Sequence, residues 1–277
     1  MELVRHDHAP LHAPSAVVAF TGWGDAGEAS SAAVEYLLGR GQVMPVASVD
    51  PDGFFDFQVT RPVVALEGGE HRRLVWPEVE ILGLRLEGSG RDLVVVRGAE
   101  PNIRWKAFTR LIADVMVGLG VDAAVTLGAF IGQVPHTLPV PLVGVGGDPD
   151  RLRDRGLLIS GYEGPTGIIG ALNVALGDAG IDTVSVWAAV PHYLSAQPYP
   201  PGALALLEKA SELLGVTVDT SGFTAEVAEF RRTMEAVLEE SEGLADYVRE
   251  LEQESRADGV AEGRRLVEEI ERFLRDR

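Results

Sequence analysis

The chain has 277 residues, 46% of them hydrophobic and 24% charged, which is the composition of a folded globular protein with a sizeable core. Its 42 acidic against 24 basic residues give a formal charge of −18 with no basic block, so a phosphate backbone is repelled and nucleic acid is not an expected partner. It contains no cysteine, which excludes disulfides, thiolate metal sites and cysteine nucleophiles together, and no apolar run reaches the length of a membrane span; a cytoplasmic location is expected.

His6, His8 and His12 have a spacing that would suit a metal, but at a chain end they support no metal assignment. Ser15 to Phe20 reads as a buried strand, followed by the glycine-rich turn Gly22-Trp23-Gly24-Asp25-Ala26-Gly27 and a helix from Ala26 to about Arg40. This turn can serve in two ways. Its amides at a helix start would favour an anion, or its glycines simply make a tight turn while Asp25 caps the helix. The spacing is not that of a dinucleotide fingerprint, and no phosphate-binding loop occurs anywhere. Val43 to Asp50 is a second strand. Short candidates then follow at Phe55 to Val59, Val63 to Leu66, Arg72 to Val75 and Val79 to Leu86, and read as hairpins or edge strands.

From Asp92 the pattern alternates. The predicted strands are Asp92 to Arg97, Asp122 to Leu127, Pro141 to Val145 and Thr183 to Val190; the predicted helices are Asn102 to Leu119, Thr166 to Ala179 and Gly202 to Leu214. Continuous apolar strands interleaved with amphipathic helices signify a mostly parallel sheet covered on both faces. The remainder, residues 224–277, holds 16 acidic and 9 basic residues. Phe223, Val227, Phe230, Met234, Val237, Leu244, Tyr247 and Leu251 form an apolar seam on a long helix, with a break expected at Asp258-Gly259 and a second helix after it. Two units are therefore expected, an α/β domain over 1–222 and an acidic helical hairpin over 223–277, the hairpin serving as a lid on the core, an oligomerisation arm or a partner-docking arm.

Ligands of parallel sheets collect at the carboxyl ends of the strands. Five turns stand there: Gly22 to Gly27, Gly98 to Asn102, Gly128 to Thr137, Tyr162 to Gly167 and Val190 to Tyr193. The candidate site residues are Gly22, Trp23, Gly24, Asp25, Glu100, Arg104, His136, Thr137, Tyr162, Glu163, Thr166 and His192, and one shared pocket is expected around Gly22 to Asp25, Glu100, His136, Glu163 and Thr166. Each also has a structural reading: Glu100 compensating a helix dipole, the histidines hydrogen-bonding at turns, Thr166 capping a helix. With two lysines, no GxSxG elbow and no HExxH, neither catalytic residues nor a cofactor are implied.

Gly22-Trp23-Gly24-Asp25-Ala26-Gly27, Phe54-Phe55-Asp56-Phe57 with Arg61-Pro62, Gly98-Ala99-Glu100-Pro101 with Trp105, Val134-Pro135-His136-Thr137 and Tyr162-Glu163-Gly164-Pro165-Thr166-Gly167 together resemble the PAC2 family of proteasome assembly chaperones over about residues 1 to 215. The C-terminal hairpin is similar to that of the actinobacterial branch. The resemblance implies a three-layer α/β/α sandwich of the phosphorylase/hydrolase-like kind and a homo-oligomer, a trimer by analogy. It also implies a non-catalytic assembly factor with proteasome subunits as partners. An enzyme of the phosphorylase or hydrolase kind, taking a nucleoside or phosphate-containing ligand at the strand ends, is the alternative.

Overall fold

The computed structural model describes residues 2–68, 71–161, 163–257, 267–268 and 271–272. Its centre is four parallel strands, β2 (Ser15–Thr21), β7 (Leu93–Ala99), β8 (Ala123–Gly132) and β11 (Asp182–Pro191), in the order β7-β2-β8-β11. These are the uninterrupted apolar runs. In register, Val17 stands between Val95 and Val125, and Val18 between Val96 and Thr126. Both Val17 and Val18 are buried although they point to opposite faces, as strands covered on both sides require.

Antiparallel strands extend both flanks. On one side lie β6 (Val79–Arg85), β3 (Gln42–Val49) and finally β1 (Leu3–Arg5); on the other lie β9 (Leu142–Val145) and then β10 (Leu158–Ile159), parallel to β9. Val79–Arg85, expected in a hairpin or at an edge, is instead an interior strand between β3 and β7, and its Val79, Ile81 and Leu84 are fully buried.

Helices α2 (Trp105–Leu119) and α4 (Ile168–Asp178) cover one face with Phe108, Ile112, Met116, Leu172 and Leu176. Helices α1 (Ala29–Leu38) and α5 (Pro200–Leu214) cover the other with Leu37, Leu206 and Leu207, and the short α3 (Pro149–Asp154) adds Leu152 to that side. The result is a three-layer α/β/α sandwich. At roughly 25 cal/mol per Å² of apolar surface buried, these two cores are the main stabilising contribution.

Among the described residues β4 (Val63–Glu67) and β5 (His71–Val75) pair only with each other, Val63 opposite Val75 and Val64 opposite Leu74, outside the main sheet. Phe55 to Val59, expected as a strand, is a turn. The amides of Phe54 and Phe55 donate to Pro51 O, and those of Val59 and Thr60 to Asp56 O. Two consecutive buried aromatics, Phe54 and Phe55, do not alternate as a strand's side chains must.

The acidic C-terminal segment forms α6 (Ser221–Glu240) and α7 (Glu242–Ala257). The expected long helix breaks at Ser241, whose backbone is extended and whose carbonyl accepts the Ala245 amide. The break expected at Asp258-Gly259 lies outside the described residues. Phe223 stacks on Tyr36 with ring centroids 4.6 Å apart, and Val227 and Met234 are buried against the body. Val267, beyond α7, packs against the α2/α4 core, and Ser160 Oγ donates to Glu271 at 3.3 Å. Among the described residues no helix is long and apolar enough to cross a membrane.

Candidate functional site

The four central strands deliver their carboxyl ends to one edge of the sheet, and a cavity of about 590 Å³ opens there. At the end of β2 the chain turns through Gly22, whose φ of 124° is one that only glycine adopts freely. At the end of β7, Gly98 has a φ of 150°, and a Cβ on it would lie 2.0 Å from Glu78 O. Two residues on, the Glu100 amide donates to Thr21 O at 3.0 Å, so that the ends of β2 and β7 leave the sheet side by side.

The Glu100 side chain then reaches the start of α4. Its Oε1 accepts the Ile168 amide at 3.1 Å, and the Trp23 amide also donates to the carboxylate. Gly167, the residue before α4, provides no side-chain cap, and a Cβ there would meet the Trp23 ring at 2.8 Å. Glu100 therefore supplies from 68 positions away the acceptor that a helix N-terminus usually takes from its own cap residue. Burial pushes the Glu100 carboxyl above its ordinary range, with the two amides opposing the shift.

Gly22, Trp23, Glu100, Asn102, Trp105 and Thr166 line the cavity, with Val59 and Thr60 from the turn before β4. Four of these are candidates from the sequence: Gly22, Trp23, Glu100 and Thr166. Sequence reasoning missed Asn102, whose Oδ1 accepts the Asp56 amide at 3.0 Å and the Thr60 hydroxyl at 3.1 Å, and so fastens the cavity wall to that turn. It also missed Trp105 as a lining residue; its Nε1 donates to Pro101 O at 2.7 Å. The signal for both was present, since an indole and an amide beside a strand end and a helix start are unusual on a surface.

The single shared pocket is corrected in its membership. The buried Asp25 carboxylate does not line the cavity; its Oδ1 accepts Ser30 N at 2.8 Å, Ser30 Oγ at 2.6 Å and Ser31 N at 3.1 Å, the local capping role. Gly24 is not among the residues lining this cavity and uses its carbonyl to accept the Ala129 amide at 2.7 Å. Arg104, in a left-handed conformation, pairs with Glu2 and lies over the Phe54 ring at 5.3 Å. Glu163 is exposed and not among the residues lining the cavity, and Tyr162 lies outside the described residues.

His136, Thr137 and His192 make a second cluster, under α7. The Tyr193 hydroxyl accepts the His136 amide at 3.0 Å and lies 2.8 Å from its Nδ1. Thr137 donates to Glu252, and His192 Nε2 meets the Tyr247 hydroxyl at 3.2 Å. Burial holds the His136 imidazole below its usual pKa, with Glu252 opposing. The N-terminal histidines are separated in use: the His6 amide donates to Val46 O, His8 Nδ1 meets Ala9 O and the His12 amide donates to Asp92. Among the described residues no group of three metal-ligating side chains is gathered.

The PAC2 family profile matches residues 19–238. Among solved structures, a proteasome-assembly chaperone homologue of Mycobacterium tuberculosis is 40% identical with a TM-score of 0.78, covering 84% of this chain and 99% of its own. A PAC2 family protein of Streptomyces avermitilis is 41% identical with a TM-score of 0.77, covering 85% and 99%. A protein of unknown function from Corynebacterium glutamicum is 25% identical with a TM-score of 0.85, covering 93% and 98%. No curated protein matches the chain.

Proposed function

Because the chain belongs to the PAC2 family, we propose that it is a non-catalytic, protein-binding assembly factor that self-associates and engages proteasome subunits in the cytoplasm. The observation that carries this reading is the β4–β5 arm. Side chains alternate along each strand, so the cross-strand pairs Val63/Val75 and Val64/Leu74 present apolar surface on both faces of the ribbon. Val63 is 64% exposed and Leu66 62%. An isolated two-stranded ribbon is marginal in water, and apolar residues on both of its sides call for a protein cover.

Charge favours a second copy as the first cover. The segment 61–76 carries three arginines against two glutamates, a net of +1 in a chain of −18. An arm of slight positive charge meets attraction when it lies on an acidic surface of a neighbour. Repeated head-to-tail contact of this kind forms a ring when the rotation between copies closes, and a trimer is the size expected by analogy with the family. Proteasome subunits as the further partner are supported by the 40% identical relative described as a proteasome-assembly chaperone homologue.

Light scattering at micromolar concentration tests the first step, and co-elution with proteasome α-subunits of the same organism tests the second. An oligomer that Val64→Asp with Leu74→Asp reduces to a monomer of unchanged circular dichroism, and that binds α-subunits, is the expected outcome. A monomeric parent protein or failure to bind α-subunits overturns the corresponding step.

A further inference from the structure

The cavity at the strand ends is chemically one-sided. Of the described residues that line it, Glu100 alone is charged, and the indoles of Trp23 and Trp105 supply much of the apolar wall. The backbone amide at the start of α4, the group that would attract a phosphate or a carboxylate, is already spent on Glu100 Oε1 at 3.1 Å. An anion entering here would find that position filled and a carboxylate beside it. A cation finds the reverse, an acceptor it can pair with and two indoles in the same wall, a residue type that attracts positive charge.

Size and shape agree with a small molecule. About 590 Å³ lies within the range of roughly 300 to 1,000 Å³ typical of small-molecule sites, and an apolar wall with a few fixed polar groups is their usual construction. The polar groups are held in place from behind, Asn102 by Asp56 and Thr60, and Glu100 by Ile168. Gly22 and Gly167 flank Glu100, a Cβ on either standing 3.5 Å, an ordinary van der Waals distance, from an atom of that side chain.

We propose that this cavity binds a small organic cation, an amine or amidine with a flat or compact apolar body, its charge paired with Glu100 and its body against Trp23 and Trp105. The proposal stands independently of the protein-binding reading. It replaces the nucleoside or phosphate-containing ligand that the strand-end position by itself had suggested.

The test is titration of the full chain with benzamidine, followed by indole fluorescence and calorimetry, with benzoate as the anion of the same shape and inorganic phosphate as a second anion. Saturable binding of benzamidine, at least tenfold tighter than either anion, is expected. Glu100→Gln keeps the acceptor for Ile168 and removes the charge, and is expected to weaken benzamidine at least tenfold while leaving benzyl alcohol, the neutral comparator, within twofold. Should Glu100→Gln fail to fold, Trp105→Leu is expected to weaken benzamidine at least threefold. The proposal is overturned by benzoate binding as tightly as benzamidine, by full benzamidine affinity in folded Glu100→Gln or in Trp105→Leu, or by absence of saturable binding of both benzamidine and tetramethylammonium at millimolar concentration.

Discussion

The Tyr193 hydroxyl accepts the backbone amide of His136 at 3.0 Å and lies 2.8 Å from Nδ1 of the same residue, so one oxygen serves both polar groups of a buried histidine. With the amide donating, the hydroxyl hydrogen is directed to Nδ1, which fits a neutral imidazole. Tyr193→Phe leaves both groups unsatisfied under α7. It is expected to cost about 1–3 kcal/mol, read as a lower urea midpoint at unchanged slope.

The same pair sets a pH dependence. Burial depresses the pKa of folded His136 relative to its ordinary value of 6.5. Below that value the unfolded chain binds the proton more readily, so the stabilisation is fully present above about pH 6.5 and is lost as pH falls through the lower folded value. The melting temperature of the parent protein is expected to fall more than that of His136→Gln between pH 7.5 and 5.5. Parallel curves for the two proteins would sink the idea.

Asp25 is a structural residue on this structure, with three donors on one carboxylate oxygen at the start of α1. Asp25→Ala is expected to lower stability by about 1–3 kcal/mol in chemical denaturation and to leave benzamidine affinity within twofold. A change in affinity without a change in stability would return Asp25 to the cavity.

Two glycines with positive φ separate backbone strain from steric conflict. At Gly88, φ is 74° and an added Cβ meets nothing within 4 Å; at Gly98, φ is 150° and the Cβ would strike Glu78 O. Gly88→Ala is expected to cost about 1 kcal/mol, whereas Gly98→Ala should yield insoluble protein or one without the parent's cooperative melt. Soluble expression and thermal melting decide the matter.

The exposed arm also predicts where a protease cuts first. Arg72 and Arg73 lie on β5, which is exposed along its whole length. Limited trypsin digestion of dilute protein is expected to cleave there ahead of the arginines on helices, and concentration into the oligomeric range should protect the site. Mass spectrometry of the first fragments reads the result.

The central strands were legible in the sequence because burial on both faces leaves an uninterrupted apolar run such as Val94–Val96, and the helix ends because Gly120 and Gly215 stop α2 and α5 with positive φ. The site was legible as a set of strand-end turns but not as a partition of them. Asp25 and Glu100 look alike on the page, an acid after a strand and before a helix. One caps the helix that follows it and the other a helix 68 residues on, a difference that only the order of strands decides. Ser241 was legible as the one gap in the apolar seam but not as a helix break, since the seam resumes in phase beyond it while the backbone does not.

The main sheet ends in β1, three residues long, on one side and β10, two residues long, on the other. Edges that short offer almost no free backbone donors and acceptors to an incoming strand, a device that guards large sheets against edge-to-edge aggregation. The arm has the opposite character, with five-residue strands and, among the described residues, no strand beyond the pair. Strand addition at the nine-stranded sheet therefore meets only short terminal strands, whereas the outer edges of β4 and β5 offer longer ones.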